Sequence, residues 1–157
     1  MAVVSPQVLI VDCTATGRMY KTRLLSKFKF RATAVSSVEE ALNFLDVEND
    51  VNLILSDYFM DGGMRGHDLL KKVKESSKLK HIPVVITCTE DDPDLINKCM
   101  EGGAKGYFLT PLKFEDLKRG HSGSMRDLDG SGKVTTTNHL VRRGGIDWKD
   151  GILLIGV

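Results

Sequence analysis

The sequence has little of what marks secreted, metal-binding or membrane proteins. It contains only three cysteines, Cys13, Cys88 and Cys99, an odd number without the spacing of a metal site or a disulfide framework. No apolar run approaches the ~18–20 residues of a membrane span. The first residues, MAVVSPQ, lack the basic start and the apolar stretch of a secretory signal. These absences predict a reduced, intracellular protein of the cytoplasm or nucleus, without a membrane partner.

An excess of charge of one sign is absent as well. Lysine and arginine together number 22, aspartate and glutamate 21, and the formal net charge is +1. This balance gives no reason to expect direct binding to DNA or to an anionic membrane. The 157 residues are 41% apolar and 27% charged, which fits one ordinary globular domain rather than a disordered or fibrous chain.

Glycine is unevenly distributed and divides the chain near Gly120. Residues 1–119 hold seven of the 15 glycines, whereas residues 120–157 hold the other eight, together with polar runs such as SGS and TTTN. We therefore predict a folded domain over residues 1–119 and a glycine-rich C-terminal tail over residues 120–157. The sequence does not define whether this tail is ordered.

Short apolar runs alternate with amphipathic segments along the first part of the chain. The apolar runs suit strands that are buried on both faces, and they predict strands at Val8–Asp12, Ala32–Ser36, Val51–Ser56, Pro83–Cys88 and Tyr107–Leu109. Helices are predicted at Arg18–Phe28, after a capping box of Ser37 with Glu40, around Leu69–Val73, at Leu95–Met100, and from Phe114 to Arg119. Gly120 and Gly123 predict that this last helix is short.

Regular alternation of strands and helices predicts the fold class. Buried-type strands with short connections favour an α/β fold, in which helices cover both sides of a parallel sheet. A doubly wound, five-stranded sheet of order 2-1-3-4-5 is the natural solution, and ligands bind such sheets at the carboxyl ends of the first and third strands. Asp12 and Asp57 are expected at that point.

Two carboxylates on neighbouring strand ends have more than one use. They suit Mg²⁺, which takes oxygen ligands at ~2.1 Å in octahedral geometry. They could also supply acid–base or nucleophilic chemistry, or simply cap loops and face water. The spacing alone leaves these three uses open.

Several motifs resemble the receiver domain of two-component response regulators, in particular plant type-A regulators of the cytokinin phosphorelay. The segments are VLIVDC, NLILSDYFM, HIPVVI, EGGAKGYFLTP and DLKR, and the resemblance covers residues ~7–119. It implies a flavodoxin-like receiver fold in a stand-alone, non-enzymatic and monomeric signalling protein. It also implies that Asp57 accepts a phosphoryl group from a histidine-containing phosphotransfer protein. Asp12, Asp57 and the backbone carbonyl of Phe59 would then hold Mg²⁺.

The sequence departs from the receiver pattern at several pocket positions. Cys13 stands where receivers have a second acid, and a neutral thiol is a poor Mg²⁺ ligand. Cys88 stands where receivers have a Ser or Thr hydroxyl, and strand alternation is expected to point Thr87 and Thr89 away from the pocket. Thr110 replaces the lysine before the proline of the fifth strand. These changes predict a degenerate, pseudo-receiver-like pocket with weak Mg²⁺ binding.

The expected function follows from these departures. We expect impaired phosphoryl acceptance at Asp57 and a negative regulatory role exerted mainly through partner binding. One alternative is a fully active, Mg²⁺-dependent phosphoacceptor. Another is a small Mg²⁺-dependent α/β enzyme that uses Asp12 and Asp57, although no further acid, base or nucleophile is expected in the pocket.

One motif lies in the predicted tail. The segment DLDGSGKV, which begins at Asp127, resembles the first eight positions of an EF-hand calcium loop. Asn138 stands at the twelfth position, where the bidentate glutamate belongs, and flanking helices are missing. The sequence therefore favours a polar loop here over a calcium site.

Overall fold

The computed structural model of the chain describes residues 6–48, 50–113, 140–142, 146–149 and 152–155. Its strands are β1 Gln7–Val11, β2 Arg31–Val35, β3 Leu53–Asp57, β4 Val84–Cys88, β5 Gly106–Leu109, β6 Leu140–Arg142, β7 Ile146–Lys149 and β8 Ile152–Ile155. Its helices are α1 Ala15–Ser26, α2 Val38–Val47, α3 Gly66–Glu75 and α4 Pro93–Glu101. Within the described residues, no helix is both long and apolar enough to cross a membrane.

The strands form the predicted sheet and extend it by one strand. Strands β2, β1, β3, β4 and β5 lie side by side and parallel, which confirms the order 2-1-3-4-5. Strand β6 adds to the outer edge of β5 in the antiparallel sense, with Tyr107 opposite Val141. Strands β7 and β8 pair with each other in a separate two-stranded sheet. The predicted short last helix from Phe114 and the EF-hand-like loop from Asp127 lie outside the described residues.

Side-chain alternation along the strands gives the sheet two different faces. We call the side that packs on α1 the α1 face; its buried residues include Val8, Ile10, Leu53, Leu55, Val85 and Phe108, together with Leu24 and Leu25 of the helix. The opposite side is the α2–α4 face, which includes Leu9, Val11, Ile54, Val84, Ile86, Cys88 and Tyr107 with apolar residues of those three helices. A shift of one residue along a strand therefore moves a side chain from one face to the other.

The predicted capping box of α2 is only half present. The backbone N–H of Glu40 donates to Ser37 Oγ at 3.0 Å, as predicted. The carboxylate of Glu40, however, accepts from the N–H and the hydroxyl of Ser36, at 3.1 and 2.8 Å. Because Ser36 offers two donors to the two carboxylate oxygens, Glu40 pairs with the residue before the N-cap.

Candidate functional site

Polar side chains lie in a row at the carboxyl edge of the sheet, just beyond the apolar residues of the α1 face. Asp12 follows Ile10 by two residues, Asp57 follows Leu55, and Thr87 follows Val85, so each continues the α1 face of its own strand. Thr110, two residues beyond Phe108, lines the same cleft as Asp12 and Asp57. The parallel arrangement of the strands thus brings the two predicted acids together.

Asp12 is tied to the start of α1. Its Oδ1 accepts hydrogen bonds from the backbone N–H and the hydroxyl of Thr14, both at 2.9 Å. Thr14 in turn caps the helix, since its Oγ1 accepts from the N–H of Gly17 at 3.1 Å. A Cβ atom at Gly17 would lie 2.0 Å from Asp12 Oδ2. Glycine at this position therefore allows the carboxylate to lie directly against the helix.

Lys21 of α1 brings a buried ammonium into the site. Its Nζ donates to Asp12 Oδ2 at 3.0 Å, to Thr87 Oγ1 at 3.2 Å and to Asp57 Oδ1. An ammonium has three N–H donors, and three acceptors from three strand ends surround this one. With a residue exposure of 2%, Lys21 lies within the core, where a charged side chain must be paired.

Sequence reasoning missed Lys21, although a signal was present. The residue lies three and four positions before Leu24 and Leu25, which places all three on one side of a helix. All three residues of that side are buried in the structure. A lysine on the buried side of a helix requires an acidic partner on the surface beneath it, and Asp12 and Asp57 were the acids expected there.

Asp57 faces the solvent more than Asp12 does. Its side chain is 21% exposed, against 4% for Asp12. The Oδ1 atom of Asp57 accepts from both the ammonium of Lys21 and the hydroxyl of Thr87. The Asp57 carboxylate is thus accessible to solvent, and it accepts two hydrogen bonds from buried donors.

The two carboxyl groups contact the same ammonium, yet their pKa values are shifted in opposite directions. Burial raises the pKa of Asp57, and Lys21 and Thr87 offset this only in part, while the charge of Asp12 opposes ionisation further. Burial also acts against ionisation of Asp12, but the N–H of Thr14 and the ammonium of Lys21 outweigh it and lower the pKa of this carboxyl. Asp12 is therefore the more firmly ionised member of the pair.

The structure corrects the prediction for the end of β4. The family resemblance assigned the pocket position to Cys88 and turned Thr87 away, but Asp57 pairs with Thr87 in the β3–β4 register. Directly paired residues of parallel strands point to the same side of the sheet, so the hydroxyl of Thr87 donates to Asp57. Cys88, one residue later, is buried with the α2–α4 face, where its Sγ accepts from the N–H of Glu90 at 3.5 Å, and it also lines a small recess beside Asp57.

The other three predicted positions have different surroundings. Cys13 is a free, half-buried thiol. The hydroxyl of Thr110 is buried and has no hydrogen-bond partner among the described residues. Phe59 is 40% exposed, and the guanidinium of Arg65 lies 5.5 Å from the centre of its ring. Neither Cys13 nor Thr110 therefore supplies a charge to the site.

An open cleft gives access to the carboxylates. Its volume is about 460 Å³, and it lies between the start of α1 and the segment after β5, with Asp12, Lys21 and Asp57 in its wall. A smaller recess of about 70 Å³ lies beside Asp57 and Phe59. The hydroxyl of Tyr20 donates to the carbonyl of Leu112 and joins α1 to the segment after β5.

The residues of the site do not fit Mg²⁺ in the arrangement that the structure describes. Mg²⁺ requires several oxygen ligands in octahedral geometry, whereas the ammonium of Lys21 already lies between the two carboxylates. Among the described residues, no three His, Cys, Asp or Glu side chains come together in a way that could hold a metal ion. Cys13 also offers a thiol where a further oxygen would be needed.

Comparison with known proteins agrees with this fold. Residues 8–120 match the model of the response regulator receiver domain. The rice protein Two-component response regulator ORR12 (Oryza sativa subsp. japonica) is 51% identical over 115 residues, which are 73% of this chain and 94% of that protein. Two-component response regulator ORR13 of the same subspecies is 49% identical with the same coverage.

Solved structures show the same architecture. A response regulator receiver protein from Pseudomonas putida has a TM-score of 0.67 at 22% identity, covering 74% of this chain and 94% of its own. The chemotaxis response regulator CheY4 of Vibrio cholerae has a TM-score of 0.66 at 25% identity, covering 71% and 92%.

The fold and the paired acids at the carboxyl edge of the sheet define a receiver domain. The chain belongs to the response regulator receiver domain family, and within it to the type found in plant two-component response regulators. Proteins of this family are signalling proteins, so the alternative of a small α/β enzyme is wrong. Receiver domains generally bind Mg²⁺ at the phosphorylation site, whereas here the ammonium of Lys21 lies between the two carboxylates.

Proposed function

We propose that this protein is a receiver in a His-to-Asp phosphorelay whose Asp57 accepts phosphoryl groups poorly. In this proposal it acts mainly by binding a histidine-containing phosphotransfer protein, and thereby resembles the type-A negative regulators of cytokinin signalling. Asp57 is the phosphoacceptor position. Cys13, Cys88 and Thr110 are the pocket positions where the usual acid, hydroxyl and lysine of the receiver pattern are missing.

The observation that carries the proposal is the state of the Asp57 carboxylate. Its Oδ1 atom is held by the Lys21 ammonium and the Thr87 hydroxyl. Two donors on one oxygen draw electron density from the whole carboxylate and weaken it as a nucleophile, and attack through Oδ1 itself requires that this atom release a hydrogen bond. A hydrogen bond to a charged group contributes roughly 1.5–3 kcal/mol, so this release slows the attack. No second lysine offsets this slower attack, since Thr110 occupies the position before Pro111, where receivers have a lysine.

Exposed apolar side chains support the partner-binding part of the proposal. Met19 and Tyr20 of α1 are 56% and 42% exposed, and Phe59 is 40% exposed. Tyr20 and Phe59 both line cavities that contain Asp57. Large apolar side chains around the mouth of a charged cleft are typical of protein interaction surfaces.

The test separates phosphoryl transfer from binding. A phosphotransfer protein that carries a labelled phosphoryl group on its histidine is mixed with the wild-type chain and with Asp57→Asn. We expect little label on either chain within a time in which an active receiver is fully labelled. Isothermal titration of the uncharged phosphotransfer protein should show binding to both chains with equal affinity.

Two outcomes contradict the proposal in different ways. Stoichiometric labelling of the wild type that disappears in Asp57→Asn identifies a fully active phosphoacceptor. Absence of binding in the titration removes the partner-binding role.

A further inference from the structure

We infer that Lys21 is a built-in cation that takes the place of Mg²⁺ between Asp12 and Asp57, so that the pocket binds no divalent metal. The inference deepens the proposed function, since it assumes that these two acids form the phosphoacceptor pocket of a receiver. It concerns the resident cation of that pocket, whereas the proposed function concerns phosphoryl transfer and partner binding.

The hydrogen bonds of Lys21 are the first support. The ammonium has one acceptor for each of its three N–H groups: Asp12 Oδ2, Asp57 Oδ1 and Thr87 Oγ1. Two of these acceptors are the carboxylates expected to hold the metal. The ammonium thus forms the contacts that a bridging cation would form, with its donors fully used.

The burial of Lys21 is the second support. The side chain is 3% exposed and Asp12 is 4% exposed, so the ion pair lies away from water. Removal of one partner from a buried ion pair leaves an uncompensated charge. A metal ion that entered the site would therefore have to displace an ammonium that is already buried and paired with both acids.

Helix α1 packs closely against the two carboxylates on the side that carries Lys21. Gly17 precedes Lys21 by four residues, so both lie on the same side of α1. A side chain at Gly17 would collide with Asp12, because its Cβ would be 2.0 Å from Oδ2. The absence of a side chain at one position and the long side chain at the other together let the helix dock on the carboxylates.

Charge repulsion is the third support. A divalent cation bound to Asp12 and Asp57 would lie within a few ångströms of the Lys21 ammonium, and like charges at that separation in a buried site repel strongly. Cys13 offers no carboxylate with which to offset this repulsion. Mg²⁺ binding therefore requires that Lys21 be removed.

Titration with Mg²⁺ alone tests the inference directly. Isothermal titration calorimetry up to about 10 mM Mg²⁺, in the range of weak sites, is performed on the wild type, Lys21→Met and Lys71→Met. Lys71 lies exposed on α3, so its substitution makes the same change of charge away from the site. We expect no saturable binding to the wild type or to Lys71→Met. For Lys21→Met we expect saturable binding with a dissociation constant at least tenfold below the highest Mg²⁺ concentration of the titration.

A double variant assigns the new site. Lys21→Met combined with Asp12→Asn should lose the Mg²⁺ affinity that Lys21→Met gained. Saturable Mg²⁺ binding to the wild type overturns the inference. So does a folded Lys21→Met that gains no affinity. Because the wild-type titration needs no variant, the inference stays testable even if Lys21→Met does not fold.

Failure of the inference is distinguishable from failure of the proposed function. Labelling is repeated in the presence of a metal chelator. A wild-type chain that is rapidly labelled without divalent metal contradicts impaired acceptance and supports Lys21 as the cation. A wild-type chain that binds Mg²⁺ but is labelled slowly contradicts the role of Lys21 and leaves impaired acceptance in place.

Discussion

Thr87 and Cys88 are adjacent in sequence, yet their side chains lie in two different environments. Thr87 points to the α1 face, where its hydroxyl contacts Asp57 and Lys21. Cys88 points to the α2–α4 face, where it is buried in an apolar cluster that includes Tyr107. At the carboxyl edge of the sheet, two acids and an ammonium lie on the α1 face. On the α2–α4 face, the apolar core extends to the ends of the strands.

The comparison shows which changes in sequence affect the site. Cys88 packs in the apolar core and lines the recess beside Asp57, but the hydroxyl that contacts Asp57 comes from Thr87. The larger change on the α1 face comes from a helix, since Lys21 brings in a cation that none of the strands supplies. Substitutions on the two faces should therefore have separable effects.

The largest expected effect is that of Lys21→Met. Loss of the ammonium leaves Asp12 and Asp57 facing each other without a counter-charge, and we expect a loss of about 3 kcal/mol in the free energy of unfolding. Urea denaturation in the presence of a metal chelator measures it. Lys71→Met, on the exposed side of α3, should change stability by less than about 0.5 kcal/mol. Equal stability of Lys21→Met and the wild type would show that the buried ion pair is not needed.

Thr87→Val should have a smaller effect on the same face. Valine keeps the shape of threonine but removes the hydroxyl that contacts Asp57 and Lys21, and we expect a loss of about 1–2 kcal/mol. Thr89→Val is the matched control, because Thr89 is exposed. The two variants are compared in parallel urea denaturation curves. If they are equally stable, the hydroxyl of Thr87 does not contribute to the site.

Cys88→Ser tests the α2–α4 face. A serine here would restore the receiver pattern in sequence, but Thr87 already supplies the hydroxyl that contacts Asp57, and the serine would replace a thiol packed with the α2–α4 face. We expect no increase in labelling by a charged phosphotransfer protein and a loss of about 1 kcal/mol in stability. Cys13→Ser, at a half-buried position, serves as the control and should change neither quantity. A clear gain in labelling by Cys88→Ser would show that the hydroxyl of Thr87 does not replace the one missing at position 88.

The smallest perturbation is alkylation of the three free thiols in the native protein. Cys99 is fully buried, and burial raises the pKa of its thiol to about 12, so almost no reactive thiolate forms at pH 8. Cys88 is 3% exposed, whereas Cys13 is half-buried. Mass spectrometry after brief iodoacetamide treatment should therefore find label on Cys13 first. Early label on Cys88 would contradict its place in the core.

The fold was largely predictable because its signals are local. Strands such as Val8–Asp12 are apolar throughout, as strands buried on both faces must be. The predicted bounds differ from those of the structure by at most three residues. Strand order followed from short connections and right-handed crossovers. The added strand β6 was less predictable, since pairing between distant segments leaves no local period in the sequence.

The site was predictable in its acids and not in their partners. Asp12 and Asp57 end two buried strands, which is a sequence signal. The contact of Thr87 with Asp57 depends on the register between β3 and β4, and a difference of one residue reverses the face. Lys21 reaches the acids because α1 docks with its Gly17 side on Asp12, and this docking is a property of packing in three dimensions.

The cation of this pocket is joined to the chain by covalent bonds. Occupancy of a metal site depends on the concentration of the free ion and falls when the ion is scarce. A side chain that belongs to the same chain as the carboxylates has an effective concentration near them that is set by geometry alone. The Lys21 ammonium lies 3.0 Å from Asp12 at any dilution of the protein, so under the inference drawn above the charge of the pocket does not depend on the concentration of free magnesium.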